Sequence, residues 1–271
     1  MKRRKSKRPF AHYLAAWGCI STGLVYAGIG SVAMLSFLRI KHGGADEGSL
    51  LVFLNKFSAG KIFVWLVLTG MVSYIAWRVY ETARDPYGYG SDWTGIAKRS
   101  GIALSSFADA LIAYTAFQVI AGKAVAVETG KPIAEREMVR HVLGESWGVL
   151  ALVIMGVVVL LTAVVQMGYV VSGTYRERLD IDFLSRWKQS FIHGLAWAGH
   201  FSRGIILGII GFFYFKAGLT KNEQVVVNTD KAFDFIGDDV GHVYFIAVAL
   251  GTICYGIFMV ALGCFYDSDK D

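Results

Sequence analysis

Two ionisable residues stand inside apolar stretches long enough to cross a bilayer. Asp109 lies about eight residues into the run 101–122, and Arg203 about eight residues into the run 195–219. At 1.5 Å per residue, each sits roughly 12 Å from the start of its run. A charge at that depth is expensive unless it is paired or faces water. Two chemistries fit. In one, Arg203 binds an anion or a lipid headgroup and Asp109 serves as its proton or cation partner. In the other, the two form a buried salt bridge that ties their helices together.

The remaining reactive residue types are dispersed. His12, His42, His141, His193, His200 and His242 show no metal-ligand spacing. His12 and His193 occupy matching places and could face one haem. Both precede their apolar runs, so they read as interfacial histidines, and no cofactor is expected. Cys19, Cys254 and Cys264 lie singly in apolar runs and read as small apolar fillers. Asp180 and Asp182 are surrounded by four basic residues in 176–188 and read as a solvated charged loop. Arg78, Glu81 and Arg84 stand where long side chains snorkel and pair at a helix end. No nucleophile motif, phosphate loop or acid–base carboxylate pair is present, which points away from an enzyme.

The elements that must position Arg203 and Asp109 follow from composition. Of 271 residues, 55% are hydrophobic and 18% charged, and several apolar runs reach the roughly 20 residues a bilayer core requires. They do not alternate as barrel strands would. Six helices are expected at about 14–38, 60–82, 101–122, 147–171, 195–219 and 241–265. The first run is longer than a signal-peptide core and is followed by no small-residue cleavage site, so it reads as a retained helix. The net charge of +6 owes much to the basic tail Lys2–Arg8, a cluster that orients a first helix and attracts anionic lipid headgroups rather than nucleic acid. Counting Lys and Arg gives 14 on the side of the tail and nine on the other. That bias places both termini in the cytoplasm. In the opposite loops, 48–57 and 229–240 read as short interfacial helices, the second capped by Thr229 or Asp230, and 123–146 as a solvated connection.

The chain also repeats itself. A shift of 181 residues carries Gly18, Ser21, Gly23 and Gly30 onto Gly199, Ser202, Gly204 and Gly211. It also carries Gly60, Val67, Gly70 and Tyr74 onto Gly241, Val248, Gly251 and Tyr255, across a loop of the same length. A shift of 83 brings in the middle hairpin and aligns three small-residue stripes: Gly23, Ala27, Gly30; Ser106, Ala110, Ala113; and Gly204, Gly208, Gly211. Each stripe occupies one helix face and would let a neighbouring backbone approach closely. Hairpins of two spans share one orientation, so the repeats are parallel rather than inverted.

The segment Gly199-His-Phe-Ser-Arg-Gly-Ile-Ile-Leu-Gly-Ile-Ile-Gly211 resembles the odd-helix signature of the bacterial Domain of Unknown Function 1206 family. Gly60-Lys-Ile-Phe-Val-Trp-Leu, with Gly70, Tyr74 and Trp77-Arg78, is similar to its even-helix signature. The resemblance spans about residues 10–265. It implies three hairpins and a bacterial cytoplasmic-membrane protein with no assigned activity. The signature Arg is present only as Arg203, with Thr22 and Ser105 in the matching places, and the even-helix Trp-Arg only as Trp77-Arg78.

The expected fold is therefore an all-α integral membrane bundle of six helices. A basic tail (1–13) precedes three parallel hairpin repeats at 14–82, 101–171 and 195–265, in a pseudo-threefold arrangement. The preferred function is a non-enzymatic scaffold or accessory subunit, with the lipid bilayer and a membrane protein as partners. The alternatives are a small carrier or channel using Arg203 and Asp109, and a membrane enzyme or haem protein.

Overall fold

The computed structural model describes residues 9–39, 44–85, 88–122 and 130–266, except the side chains of 9–12, 97, 98, 101, 102, 104–109, 111 and 112. The tail up to residue 8, His42 and the side chains of His12, Ser106 and Asp109 thus lie outside the described residues. Nine α-helices follow along the described chain: α1 (Pro9–Phe37), α2 (Glu47–Asn55), α3 (Ser58–Arg84), α4 (Trp93–Ile120), α5 (Ile133–Leu143), α6 (Gly148–Val171), α7 (Arg186–Thr220), α8 (Thr229–Phe235) and α9 (His242–Cys264). No strand occurs among the described residues; Leu179 and Tyr266 form a single antiparallel bridge. Five of these helices, α1, α3, α6, α7 and α9, are long and apolar enough to cross a membrane, which makes the chain a multi-pass membrane protein. The helix α4 is 28 residues long.

The polar residues at the helix ends set the turns. Asp85 closes α3 in the left-handed conformation, φ 47°, and its carboxylate accepts the backbone N–H groups of Tyr89 and Gly90, both at 2.8 Å. Asp92 then caps α4 through Gly95 N–H at 3.2 Å. On the opposite side Asp46 caps α2 through Ser49 N–H at 3.0 Å, and Asn228 caps α8 through Lys231 N–H at 3.1 Å. The α8 cap is thus Asn228, one residue before the expected Thr229. The loop expected to be solvated between α4 and α6 contains α5, whose Val139 is fully buried in a small cluster with Leu152, Tyr214, Ala217 and Val226.

Two faces can be distinguished. On one, α1 begins and α9 ends; it is called the terminal side. On the other, the hairpin side, α2, α5 and α8 come together. Asp230 accepts Ala45 N–H at 2.5 Å, Asn228 donates its amide to Gly130 O at 3.1 Å, and Arg140 pairs with Glu223 at 3.2 Å.

Small residues set the helix seams. The most extensive pairings are α1 with α9 and α6 with α7; α1 with α3, α3 with α4 and α7 with α9 follow. A Cβ on Gly256 would fall on the backbone nitrogen of Ala27 and the carbonyl oxygen of Gly23, and one on Gly30 would meet Ala249 O and Ile253. The first stripe thus lets α1 lie backbone-to-backbone on α9. The third stripe does the same for α7 on α6, with Gly204 against Met167 and Gly211 against Leu160 and Gly156 O, while Gly208 is looser, 4.0 Å from Ala163. In the middle stripe Ala113 is buried and Ala110 half-buried.

Two further contacts between α1 and α3 recur between α7 and α9. Gly18 meets Tyr74 and Gly199 meets Tyr255; Ser21 fills the space beside Gly70 and Ser202 the space beside Gly251. These hold α1 on α3 and α7 on α9. The helix α4, by contrast, barely touches α6.

Candidate functional site

The helix α7 starts at Arg186, nine residues before the expected 195, because its polar first turns are held from outside. The Gln189 amide donates to Ile181 O at 3.2 Å and Leu184 O at 3.0 Å. Two corrections follow. His193 lies within the helix rather than ahead of it, bonded to Tyr175 Oη at 3.0 Å. Arg203 lies at the middle of α7, about 26 Å from either end, and not one-third of the way along.

Arg203 is buried. Its Nη1 donates to Tyr255 Oη, and its guanidinium stands over the rings of Tyr26, 4.5 Å away, and Tyr255, 4.8 Å away. The two rings meet edge to face at 5.1 Å. Two aromatic faces and a charge-assisted bond offset the desolvation of the guanidinium. A cavity of about 40 Å³ adjoins the group, lined among others by Tyr26, Glu47, Thr229, Thr252 and Tyr255. The acidic residue sharing Arg203's cavity is therefore Glu47, at the start of α2; the side chain of Asp109 is outside the described residues. Thr229 Oγ1 donates to both oxygens of Glu47, at 3.2 and 3.3 Å. Burial pushes the Glu47 carboxyl up to about 7, aided by Asp46 and opposed by the Thr229 bond and the Arg203 charge. Burial likewise raises Asp230 to about 7, against the bond from Ala45.

A second and much larger cavity, about 690 Å³, opens on the terminal side among α3, α4, α6, α7 and α9. Its volume falls in the range of small-molecule sites. Arg78 and Arg178 are the charged residues on its described wall. Behind them Glu81, 1% exposed, holds both: Arg78 Nη1 at 3.0 Å and Arg178 Nη2 at 2.8 Å. Arg78 also donates to Tyr74 Oη. The deep part is formed by His200 and Tyr255, with the His200 Nδ1 hydrogen donated to Ala196 O at 2.9 Å.

Sequence reasoning missed this triad. Arg78 and Glu81 were expected to snorkel, but Glu81 is inaccessible. Arg178 was expected in a solvated loop, yet Tyr175, Arg178, Leu179 and Ile181 are buried there, tied down by Asp180 N–H to Phe265 O at 2.8 Å. Of the Asp pair in that loop, Asp182 is exposed and Asp180 half-buried.

The cavity lies where α4 and α6 stand apart, and the sequence of α6 supplies a reason. Gly148 abuts Val142 O as Gly60 abuts Leu54 O. Counted from those glycines, the places of Gly70 and Tyr74 in α3 are taken in α6 by Val158 and Thr162. A valine denies the close approach that Ser21 makes on Gly70, and threonine leaves the volume of the tyrosine ring empty; Thr162 lines the cavity. Among the described residues, no three His, Cys, Asp or Glu side chains converge to hold a metal ion.

Comparison with known proteins places this architecture. The profile of the family described as Domain of Unknown Function (DUF1206) matches residues 17–85 and 198–265. The "Uncharacterized protein YxxB" of Bacillus subtilis (strain 168) is 22% identical over 267 residues, covering 97% of this chain and 94% of that relative. No solved structure matches this chain. With about half of its length matched in two segments, the chain belongs to the Domain of Unknown Function (DUF1206) family.

Proposed function

We propose that this protein is a small, non-enzymatic carrier of the bacterial cytoplasmic membrane, with six spans in three parallel hairpin repeats about a pseudo-threefold axis and both termini in the cytoplasm. The observation that carries the functional reading is the position of Tyr255. It is bonded to Arg203 and lies in the walls of both the 690 Å³ cavity and the 40 Å³ cavity. A single Arg–Tyr pair thus stands between a chamber on the terminal side and a small chamber reaching Glu47 on the hairpin side, as a gate between two half-paths would.

The repeat is supported by the two family matches, by the paired Gly18–Tyr74 and Gly199–Tyr255 contacts, and by the order long, short, long helix in 9–84, 93–171 and 186–264. The scaffold or accessory-subunit reading draws on the close seams α1–α9 and α6–α7. The cavity beside α4 favours the carrier, since a scaffold has no use for a chamber lined by two arginines. Native mass spectrometry of the protein, extracted gently from its own membrane, tests the choice. A lone chain carrying a small anionic molecule is the expected result. A reproducible protein partner with no such molecule would return the scaffold.

A further inference from the structure

We infer that the large cavity is a binding site for an anionic amphiphile, its charged head at Arg78 and Arg178 and its hydrocarbon chain lying along α6 toward the bilayer midplane. The inference rests on reading that cavity as a ligand site, and it names the ligand's chemistry and its route of entry.

Three observations converge. The first is the distribution of polarity. The end near the terminal side carries Arg78, Arg178, Thr94 and Ser172, and the wall continues through Val165, Phe258, Met259 and Leu262 to Leu161, with His200 and Tyr255 at the inner end. Leu161 is ten residues from the end of α6, about 15 Å up the helix. A charged end at the terminal side and a largely apolar wall beyond it match an amphiphile, whereas a small soluble anion would leave the apolar length unfilled.

The second is charge. The two charged side chains on the described wall are both guanidinium groups, 14% and 8% exposed, and no described carboxylate lines it. Glu81 lies behind them and fixes both in place, so the head of the ligand meets a preorganised pair rather than two flexible chains. Charge-assisted bonds to a carboxylate or phosphate would be formed with these two largely buried groups, and a neutral chain would forgo them.

The third is access. Leu161 and Val165 line the cavity, and each is 56% exposed on a membrane-crossing helix. Together with the near absence of α4–α6 contact, this makes the chamber continuous with the surface that faces lipid. A molecule dissolved in the bilayer can enter sideways without crossing the Arg203–Tyr255 pair.

The same head chemistry could come from a membrane lipid or from a free anion, and the test separates them. The full chain is placed in phosphatidylcholine nanodiscs and titrated with a dansylated undecanoic acid, its methyl ester, and inorganic phosphate as competitor. The acid is expected to bind saturably, the ester at least tenfold more weakly, and millimolar phosphate is expected not to displace the acid. Arg78→Gln and Arg178→Gln are each expected to weaken the acid at least tenfold. Val165→Trp, which fills the apolar part of the cavity without altering either arginine, is expected to weaken acid and ester alike. Equal binding of acid and ester, or an unchanged affinity in Val165→Trp, would overturn the inference; displacement by phosphate would make the site one for a free anion and overturn it too. The ester comparison uses the unaltered protein, so it decides even if an arginine variant fails to fold. Saturable binding in a protein whose Arg203 region is sealed from both faces would leave this site standing and remove the carrier.

Discussion

Glu81→Gln is expected to destabilise the protein by about 3–5 kcal/mol, the range for removing one member of a buried ionic group. Glu81 is the common partner of Arg78 at 3.0 Å and Arg178 at 2.8 Å, and its own side chain has no exposed surface. Glutamine keeps the shape but removes the charge that compensates two nearly buried guanidinium groups. One of them, Arg178, belongs to the short 3-10 turn Thr174–Arg178, so the loss also releases the link between that turn and α3. The comparison is Glu223→Gln, which breaks the Arg140 pair on the hairpin side, where the arginine is 65% exposed. Surface pairs contribute at most about 1 kcal/mol. Thermal denaturation of the purified variants in detergent should show a large loss for Glu81→Gln and a small one for Glu223→Gln. Equal losses would mean that the triad is solvated and that the arginines lining the cavity are not held in place.

The second large effect concerns the α1–α9 seam. Gly256→Val is expected to cost about 3 kcal/mol, the upper end of the usual range for overpacking. The atoms that a new Cβ would strike are the backbone of Ala27 and Gly23. No side chain can rotate out of the way, so one helix must move off the other along one of the two most extensive seams of the bundle. Gly194, in α7, has nothing within 4 Å of its Cβ direction. There Gly194→Ala should be neutral or stabilising by up to about 1 kcal/mol, since alanine is the better helix former. If the two variants melt alike, α1 and α9 are not in backbone contact and the small-residue stripe is not what joins them.

How much of this was legible in the sequence depends on the range of the interaction concerned. The spans show because apolar runs report burial locally. The contacts between outer hairpins and their glycines show because Gly18, Ser21, Gly70 and Tyr74 recur in register as Gly199, Ser202, Gly251 and Tyr255. The first turns of α7 did not show. Arg186, Lys188 and Gln189 are polar, and what keeps them helical is a set of bonds to the preceding loop. The helix α5 was hidden by its charges, although Val139, Val142 and Leu143 carried the helical spacing that would have found it. The cavity residues were least legible. Arg178 and Glu81 are 97 positions apart in the chain, and Glu47 and Arg203 are 156 apart; only the fold brings each pair together. Arg203 could be singled out because a charge inside an apolar run is anomalous without reference to any partner. The acid that shares its cavity could not, because Glu47 sits between two apolar runs, where charge is ordinary.

The most direct measurement of the central claim, that two chambers meet at Arg203 and Tyr255, is cysteine accessibility at Thr252. This residue is 2% exposed and lines the small cavity. In a background where Cys19, Cys254 and Cys264 are replaced by alanine, Thr252→Cys is expressed in sealed vesicles and treated with a charged, membrane-impermeant methanethiosulfonate from one face and then from the other. A carrier that opens alternately exposes the thiol to each face in turn, so modification from both faces is the expected result. Complete protection from both, with a cysteine at the exposed Ser172 modified from the terminal side alone, would show a sealed core and contradict the account.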